Sequence, residues 1–416
     1  MLSDRGRQKG AATLLGTVIV LGLMTLIVFF ANRNVLFERK TSANQYRSVR
    51  AIEAAEAGVE WTLANLNAAR KITNACATSA VATDRQFRDV YLDPDANGSF
   101  KDAFATSMPV CTLIGGAWSC SCPANGNAAT VASCSAPEGC PTFRVEFANV
   151  AADATMVRVR VVGCTNSQQP CVPSASTADG TATITQVIKA LSGLSSLPAA
   201  AITAKQNVDF GSNAITASNT DPGTNGITIN AGGSITGFLN DSTLHTLPGT
   251  PPTSSLVGND GSLAALTDDQ MFMTYFGMTK DQFKSQASTT VVNCGGVCNA
   301  QMTAAVDGGA RTIWVEGDMT LNANGVYGSP TSPVVMVING NVELRGTMTI
   351  YGVVYCQNGV WDNTGGGNAQ VIGAAIAEGS FTATGTPDPT YDPNVLRRLR
   401  ETTGDFAKVP GAWRDF

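Results

Sequence analysis

The sequence predicts an α+β chain: a long N-terminal helix, transmembrane and then amphipathic, a small antiparallel sheet, and a C-terminal β-solenoid-like domain. Three observations predict it. Residues 11–31 carry no charge, and a helical spacing of apolar residues continues beyond them. Residues 142–191 alternate apolar and polar positions as half-buried strands do. After Pro198 a short strand–turn unit recurs.

The first ten residues, MLSDRGRQKG, hold Arg5, Arg7 and Lys9 against Asp4. The run AATLLGTVIVLGLMTLIVFFA (11–31) follows, long enough to cross a hydrocarbon core of about 30 Å as a helix rising about 1.5 Å per residue. The basic flank should stay in the cytoplasm, which places the rest of the chain on the far side. A cleaved signal peptide would end in small residues, whereas Asn32-Arg33-Asn34 stands here. Ala43, Tyr46, Val49, Ile52, Val59, Leu63 and Leu66 recur at helical spacing, and Pro94 is the first proline. One helix over 11–69 accounts for both stretches.

The composition bounds what such a chain can do. Its 416 residues suffice for two or three domains of roughly 150 residues. Charged residues make up 14%, aromatic residues 7%, and Gly numbers 42, a balance that suits a turn-rich extracellular β protein. A net charge of −5 speaks against a surface built for phosphates, so no nucleic-acid partner is expected. The single histidine, His245, removes most triad and metal-cluster chemistry. The 11 cysteines read as disulfides of an oxidising compartment, with at least one left over. Zinc held by Cys120, Cys122, Cys134 and Cys140 is the rival reading, and those spacings miss the usual two-residue gap.

Gly10 before an uncharged run, followed by FERKTSANQYRSVRAIEAAEAGVEWTLANLN (37–67), resembles the N-terminal region of PilX-type minor pilins of the type IV pilus. The resemblance implies a prepilin leader over 1–10, cleavage after Gly10 by the prepilin peptidase, and N-methylation of Ala11. It implies partners as well: other minor pilins and the major pilin through the helix, and a pilus tip adhesin. The implied location is the inner membrane, single-pass with the C-terminus periplasmic, and after assembly the tip of an extracellular pilus. One residue departs from the pattern. Most pilins have Glu at the fifth mature position, where this chain has Leu15. In the family that carboxylate is thought to neutralise the terminal ammonium of a neighbour, and a buried charge is favourable only when its partner is present. A subunit lacking it suits the top of a filament, and the tip pseudopilin of type II secretion shares the departure.

Residues 70–198 form a cysteine-rich sheet domain, with strands expected at 142–150, 155–163 and 181–191. Cys164 with Cys171, Cys294 with Cys298, and Cys134 with Cys140 are expected to pair, each being close in sequence around a turn. Cys356, in an apolar run, is the expected free thiol. Asp93, Asp95 and Asn97 begin a calcium-loop pattern with Asp102 nearby, but Phe104 stands where the bidentate Glu belongs, and a polar turn is the plainer reading. Calcium is therefore a candidate ligand, and no other cofactor is expected.

Residues 199–416 carry the recurrent unit: VEGDMTL (315–321) aligns with INGNVEL (338–344), and more loosely with AEGSFTA (377–383), AGGSITG (231–237) and AKQNVDF (204–210). Such units suggest stacked parallel strands. Their irregular spacing leaves an antiparallel sandwich as the alternative. IYGVVY (350–355) and QVIGAAIA (370–377) fit as further rungs. A helical insertion over 262–300 has caps at Thr267 and Thr279 and an apolar face of Met271, Phe272, Tyr275 and Phe276. The tail, with VVMVINGNVELRG, GAAIAEGSF and YDPNVLRRL, resembles the C-terminal region of longer PilX-type proteins.

The expected function is that of a minor pilin that helps prime pilus assembly and sits at or near the tip, exposing a large β domain for adhesion. A type II secretion minor pseudopilin is one alternative, and a membrane-anchored extracellular binding protein unrelated to pili is another. Enzymatic activity is not expected. Asp307, Glu316, Asp318 and Glu343 are acids in the right half for a polysaccharide lyase, but no paired spacing or basic partner singles them out.

Overall fold

The computed structural model describes residues 9–92, 108–123, 129–131, 133–134, 139–150, 153, 155–167, 171–172, 180–211, 216–237, 243–361, 368–383 and 388–414. Helix α1 runs unbroken from Lys9 to Asn67, and its 59 residues make a rod of roughly 88 Å at about 1.5 Å per residue. From Ala12 to Val49 every residue is exposed. Beyond that the helix turns one face onto a sheet. Ala51, Ala54, Ala55, Gly58 and Val59 are buried, while Glu53, Glu56 and Glu60 face outward. The small residues are there because the approach is close. A Cβ on Gly58 would lie 2.5 Å from Val161 Cγ1, and one on Gly163 of the sheet would lie 2.1 Å from the Ala51 carbonyl oxygen.

After the short α2 (Phe87–Tyr91), the sheet is built from β1 (Val110–Ile114), β2 (Ala117–Ser121), β3 (Thr142–Asn149), β4 (Met156–Cys164) and β5 (Thr181–Ala190). It is antiparallel, in the order β2-β1-β3-β4-β5, with one further strand from the far end of the chain beside β5. Val157, Val159 and Val161 of β4 pack inward, and Arg158 and Arg160 point out. The three strands expected from alternation form within about a residue of their expected bounds.

Among the described residues, the strands between 202 and 390 stack in ladders that are all parallel, so the antiparallel sandwich does not apply. In chain order this stack of coils begins with β6 (Ile202–Ala204), β7 (Val208–Asp209), β8 (Ala217–Ser218), β9 (Ile229–Ala231), β10 (Ile235–Thr236), β11 (Leu244–His245) and β12 (Leu256–Val257). Helices α3 (Gly261–Ala264), α4 (Asp268–Phe276) and α5 (Lys280–Ser285) follow. Strands β13 (Thr289–Asn293) and β14 (Gly296–Val297), helix α6 (Asn299–Gly308), β15 (Thr312–Glu316), β16 (Met319–Leu321) and β17 (Gly325–Tyr327) come next. The run continues with β18 (Val334–Asn339), β19 (Val342–Leu344), β20 (Met348–Cys356), β21 (Gly359–Trp361), β22 (Ala369–Ala377), β23 (Phe381–Ala383) and β24 (Asp388–Thr390). Helix α7 (Pro393–Thr402) and β25 (Phe406–Arg414) end it.

Chain order and stacking order differ. Coils stack from β13 upward to β22–β24, and β6, β7 and β8 then pair onto β22, β23 and β24. The coils encoded first thus lie beyond those encoded last, with β12 at the far end, and α3–α5 carry the chain back along the stack. The insertion expected at 262–300 is corrected accordingly: the helices occupy 261–285, and β13 and β14 are the first coil. The expected caps form, Thr267 and Thr279 each closing a capping box with Gln270 and Gln282.

The five aligned sequence units occupy one corner of the stack in register, Met319 beside Val342 and Phe381 beside Val208, which pairs with Ile235. The polar position after the glycine builds a ladder. Asp318 Oδ1 accepts the Asn341 amide at 2.7 Å, Asn341 Oδ1 accepts from Asn358, and Asn358 Oδ1 accepts the Ser380 amide. The rungs lie 23, 17 and 22 residues apart there and 27 between Asn207 and Ser234, which explains the irregular spacing. At another corner β20 and β22 bend at Gly352 and Gly373, whose φ of 145° and 138° L side chains rarely adopt.

A further correction concerns the end of the chain. Residues 199–416 are not one domain, because β25 leaves the stack and pairs antiparallel with β5 at the edge of the first sheet. The helix-packing head is therefore completed by the last segment of the chain.

Candidate functional site: the exposed helix and its junction

Between Ala12 and Val49 α1 protrudes for about 57 Å, nearly twice a hydrocarbon core of about 30 Å. By length and composition this helix could cross a membrane. A hydrocarbon core of that thickness would cover 11–31. It leaves Val35, Leu36, Phe37, Tyr46 and Val49 uncovered, all more than 45% exposed. Leu15 is 66% exposed near the start of the rod. Gly10 and Ala11 lie in the first turn of α1.

The rod is fixed to the stack by a polar junction. Arg88 of α2 is buried and donates to the carbonyl of Leu66 on α1 and to those of Thr402, the last residue of α7, and Gly404 just after it. Burial, and then the charge of Arg311, pull its guanidinium down to about 10. Asp89 accepts two bonds from Arg311, at 2.8 and 2.6 Å. The Asn67 amide pairs both ways with the backbone of Phe406, at 3.0 and 2.7 Å. No sequence pattern marks this set, whose members lie hundreds of positions apart. The groove beside it, about 650 Å³, is walled by Lys71, Asp84, Arg85, Asp307 and Arg398 among others.

The expected disulfides Cys164–Cys171, Cys294–Cys298 and Cys134–Cys140 are present, and Cys356 is the buried free thiol. Two more bonds, Cys76–Cys122 and Cys111–Cys120, were not expected. The second was findable: Cys111 and Cys120 sit symmetrically about Gly115-Gly116, a two-residue hairpin turn. With Cys120, Cys122, Cys134 and Cys140 all so bonded, the disulfide reading holds over the zinc alternative. Asp93, Asp95, Asn97 and Asp102 lie outside the described residues. The acids weighed for a lyase lie apart: Glu316 pairs with Lys284, Glu343 with Arg345, Asp318 sits in the ladder, and Asp307 stands exposed on α6. His245 lies exposed on β11.

The comparisons bear on the rod. The PilX N-terminal family matches residues 9–60. The N-terminal region is thus similar to that of PilX-type proteins. The match spans the exposed rod and the first part of its seat on the sheet, while α1 stays buried beyond it at Thr62, Asn65 and Leu66. Among solved structures, the competence-associated pilin ComZ from Thermus thermophilus aligns at 11% identity over 89% of this chain and 97% of its own. Its TM-score is 0.22, too low to assert a shared fold. No curated protein matches the sequence.

Proposed function

We propose that this chain is a minor pilin that helps prime type IV pilus assembly and sits at or near the tip. The observation that carries the reading is the uncovered stretch 32–49, apolar on one side and lying beyond the membrane span of a PilX-type helix. Such a surface needs other helices, and the family supplies pilins as those neighbours. Cleavage after Gly10 and methylation of Ala11 would start the mature helix at its apolar part. Leu15 in place of the fifth-position Glu gives a subunit above nothing to neutralise its ammonium, which favours the top position. The coils form a β-solenoid that stands on the head, with the coil of β9–β11 and β12 presented farthest from it, in position for adhesion. The role is structural rather than enzymatic. A type II secretion pseudopilin is the second reading, favoured by the same Leu15.

Quantitative proteomics of sheared pili tests the proposal. This chain should appear far below the major pilin, with Ala11 as its methylated terminus, and its deletion should reduce surface pili. Equal stoichiometry along the shaft would end the tip reading. An intact residue 1 in cells with active peptidase would end the pilin reading.

A further inference from the structure

A groove of about 430 Å³ runs along the lower part of α1, walled on one side by Glu53, Glu56, Ala57 and Glu60 and on the other by Ile184 of β5 and Lys408 and Trp413 of β25. Three features mark it as more than a surface crease. Trp413 is half exposed, at 50%, on the strand that the chain returns to place there. Lys408 reaches across to pair with Glu60, whereas among the described residues Glu53 and Glu56 form no ion pair. Upward along α1, positions one and two turns before Glu53 are Val49 and Tyr46, 52% and 60% exposed, so the groove continues the uncovered face of the rod without a break.

We infer that this groove seats the N-terminal helix of a neighbouring pilin-type subunit, an apolar side chain against Trp413 and a lysine or arginine against Glu53 and Glu56. The inference rests on the pilin reading and names where the partner helix ends up. Continuity argues for a helix, because a partner lying along Tyr46 and Val49 is led into the groove by the same face. Charge argues for a basic one. Chemistry of that kind is present in this chain's own rod, where Arg39 and Lys40 lie about four turns above Glu53. A neighbouring rod displaced lengthwise by that distance would set its basic turn against the acids. The C-terminal strand is thereby part of the interface, since it supplies Lys408 and Trp413 of the second wall.

A photocrosslinking residue placed at Trp413, and separately at Leu23 in the membrane half, tests this in cells that make pili. Adducts to another pilin subunit at both positions are expected. In the Glu53→Lys/Glu56→Lys variant the yield at position 413 should fall at least about fivefold, with the yield at position 23 unchanged and Glu53→Gln/Glu56→Gln in between. An adduct at 23 without one at 413 overturns the groove and leaves the pilin reading standing. Adducts at neither position remove the pilin reading itself. A yield at position 413 that is indifferent to charge reversal also overturns the inference.

Discussion

The antiparallel sheet of the head and the parallel stack draw on the same residues, Val, Ile and Thr, yet hide them differently. In β4 one side faces α1 and the other faces water, so Val157, Val159 and Val161 alternate with Arg158 and Arg160. In β18 Val334, Met336 and Ile338 face the interior of the stack, while Val335 and Val337 face a second core. That second core is supplied from outside the stack by Phe272, Phe276 and Phe283 of α4 and α5 and Leu396 and Leu399 of α7. What covers the outer side of a strand therefore decides whether its sequence alternates. The walls without such cover, β16 and β19, alternate again, with Thr320 and Glu343 at the half-exposed position.

The junction decides whether the two regions behave as one body, and breaking it should give the largest effect. Asp89→Ala removes the partner of Arg311 and a near neighbour of Arg88, leaving cations in sites that are mostly dry. The expected loss is about 3–5 kcal/mol, the range for half of a buried pair. Denaturant unfolding of the detergent-solubilised chain should then show head and stack melting apart where the parent melts in one transition. A loss below about 1 kcal/mol would class the pair with surface ion pairs.

The disulfides set the same regions against each other. Cys76–Cys122 closes a separation of 46 residues in the head, Cys294–Cys298 only 4 in the stack. Loop-closure entropy assigns about 4 kcal/mol to the first and about 2 to the second. Replacing both cysteines of a pair by serine and measuring unfolding free energies should reproduce that order. The reverse order would mean that the stack end depends on its local loop more than chain entropy allows.

Legibility followed cover as well. The head strands and α1 could be read because each has one wet side, which leaves alternation or helical periodicity in the sequence. The corner units could be read because the Asn ladder and its glycine repeat the same short-range geometry. The copy at 356–361 escaped because Gly359 stands in the apolar position, its missing side chain replaced by the Phe381 ring, which would lie 1.8 Å from a Cβ there. Non-local pairing left no trace. Nothing in FAKVPGAWR says that it will lie beside β5, and Arg88, Asp89 and Arg311 look like ordinary surface charges until the junction folds around them. The groove at Trp413 inherits that invisibility from β25.

Glycine substitutions sharpen the contrast at a smaller scale. Gly163→Ala pushes a methyl toward the Ala51 carbonyl and should loosen α1 from the sheet. Gly352→Ala meets the Val334 carbonyl, 1.8 Å from an ideal Cβ, and should open one corner of the stack. Each should cost about 1–3 kcal/mol. Limited proteolysis separates them: the first variant should gain cleavage at Arg47 and Arg50, the second only within the coils. Identical patterns would mean that strain in one region spreads freely to the other.

The smallest effect is electrostatic. Glu316, at the end of β15, is held below its ordinary value of 4.5 chiefly by its bond to Lys284 of α5, with burial opposing. In the head, Asp153 is lowered by the hydroxyl and amide of Thr155. A carboxyl depressed in the folded state adds stability that is present above its unfolded value and lost as pH falls through its folded one. Both regions should therefore soften on the acid side, but Asp153 meets Lys189 of a β5 already held by its ladder to β4, whereas Glu316 holds the separate helix α5, so only there should softening detach an element. Because its side chain is 28% exposed and that of Lys284 43%, the change should stay below about 1 kcal/mol. Hydrogen exchange at the α5 amides, corrected for intrinsic rates, should rise between about pH 6 and about pH 3 while β4 and β5 hold steady. Glu316→Gln should show the faster exchange already at the upper pH and little further change below it. If parent and variant respond alike across the window, the Lys284 contact does not hold α5 to the stack, and its seat belongs to Phe283 alone.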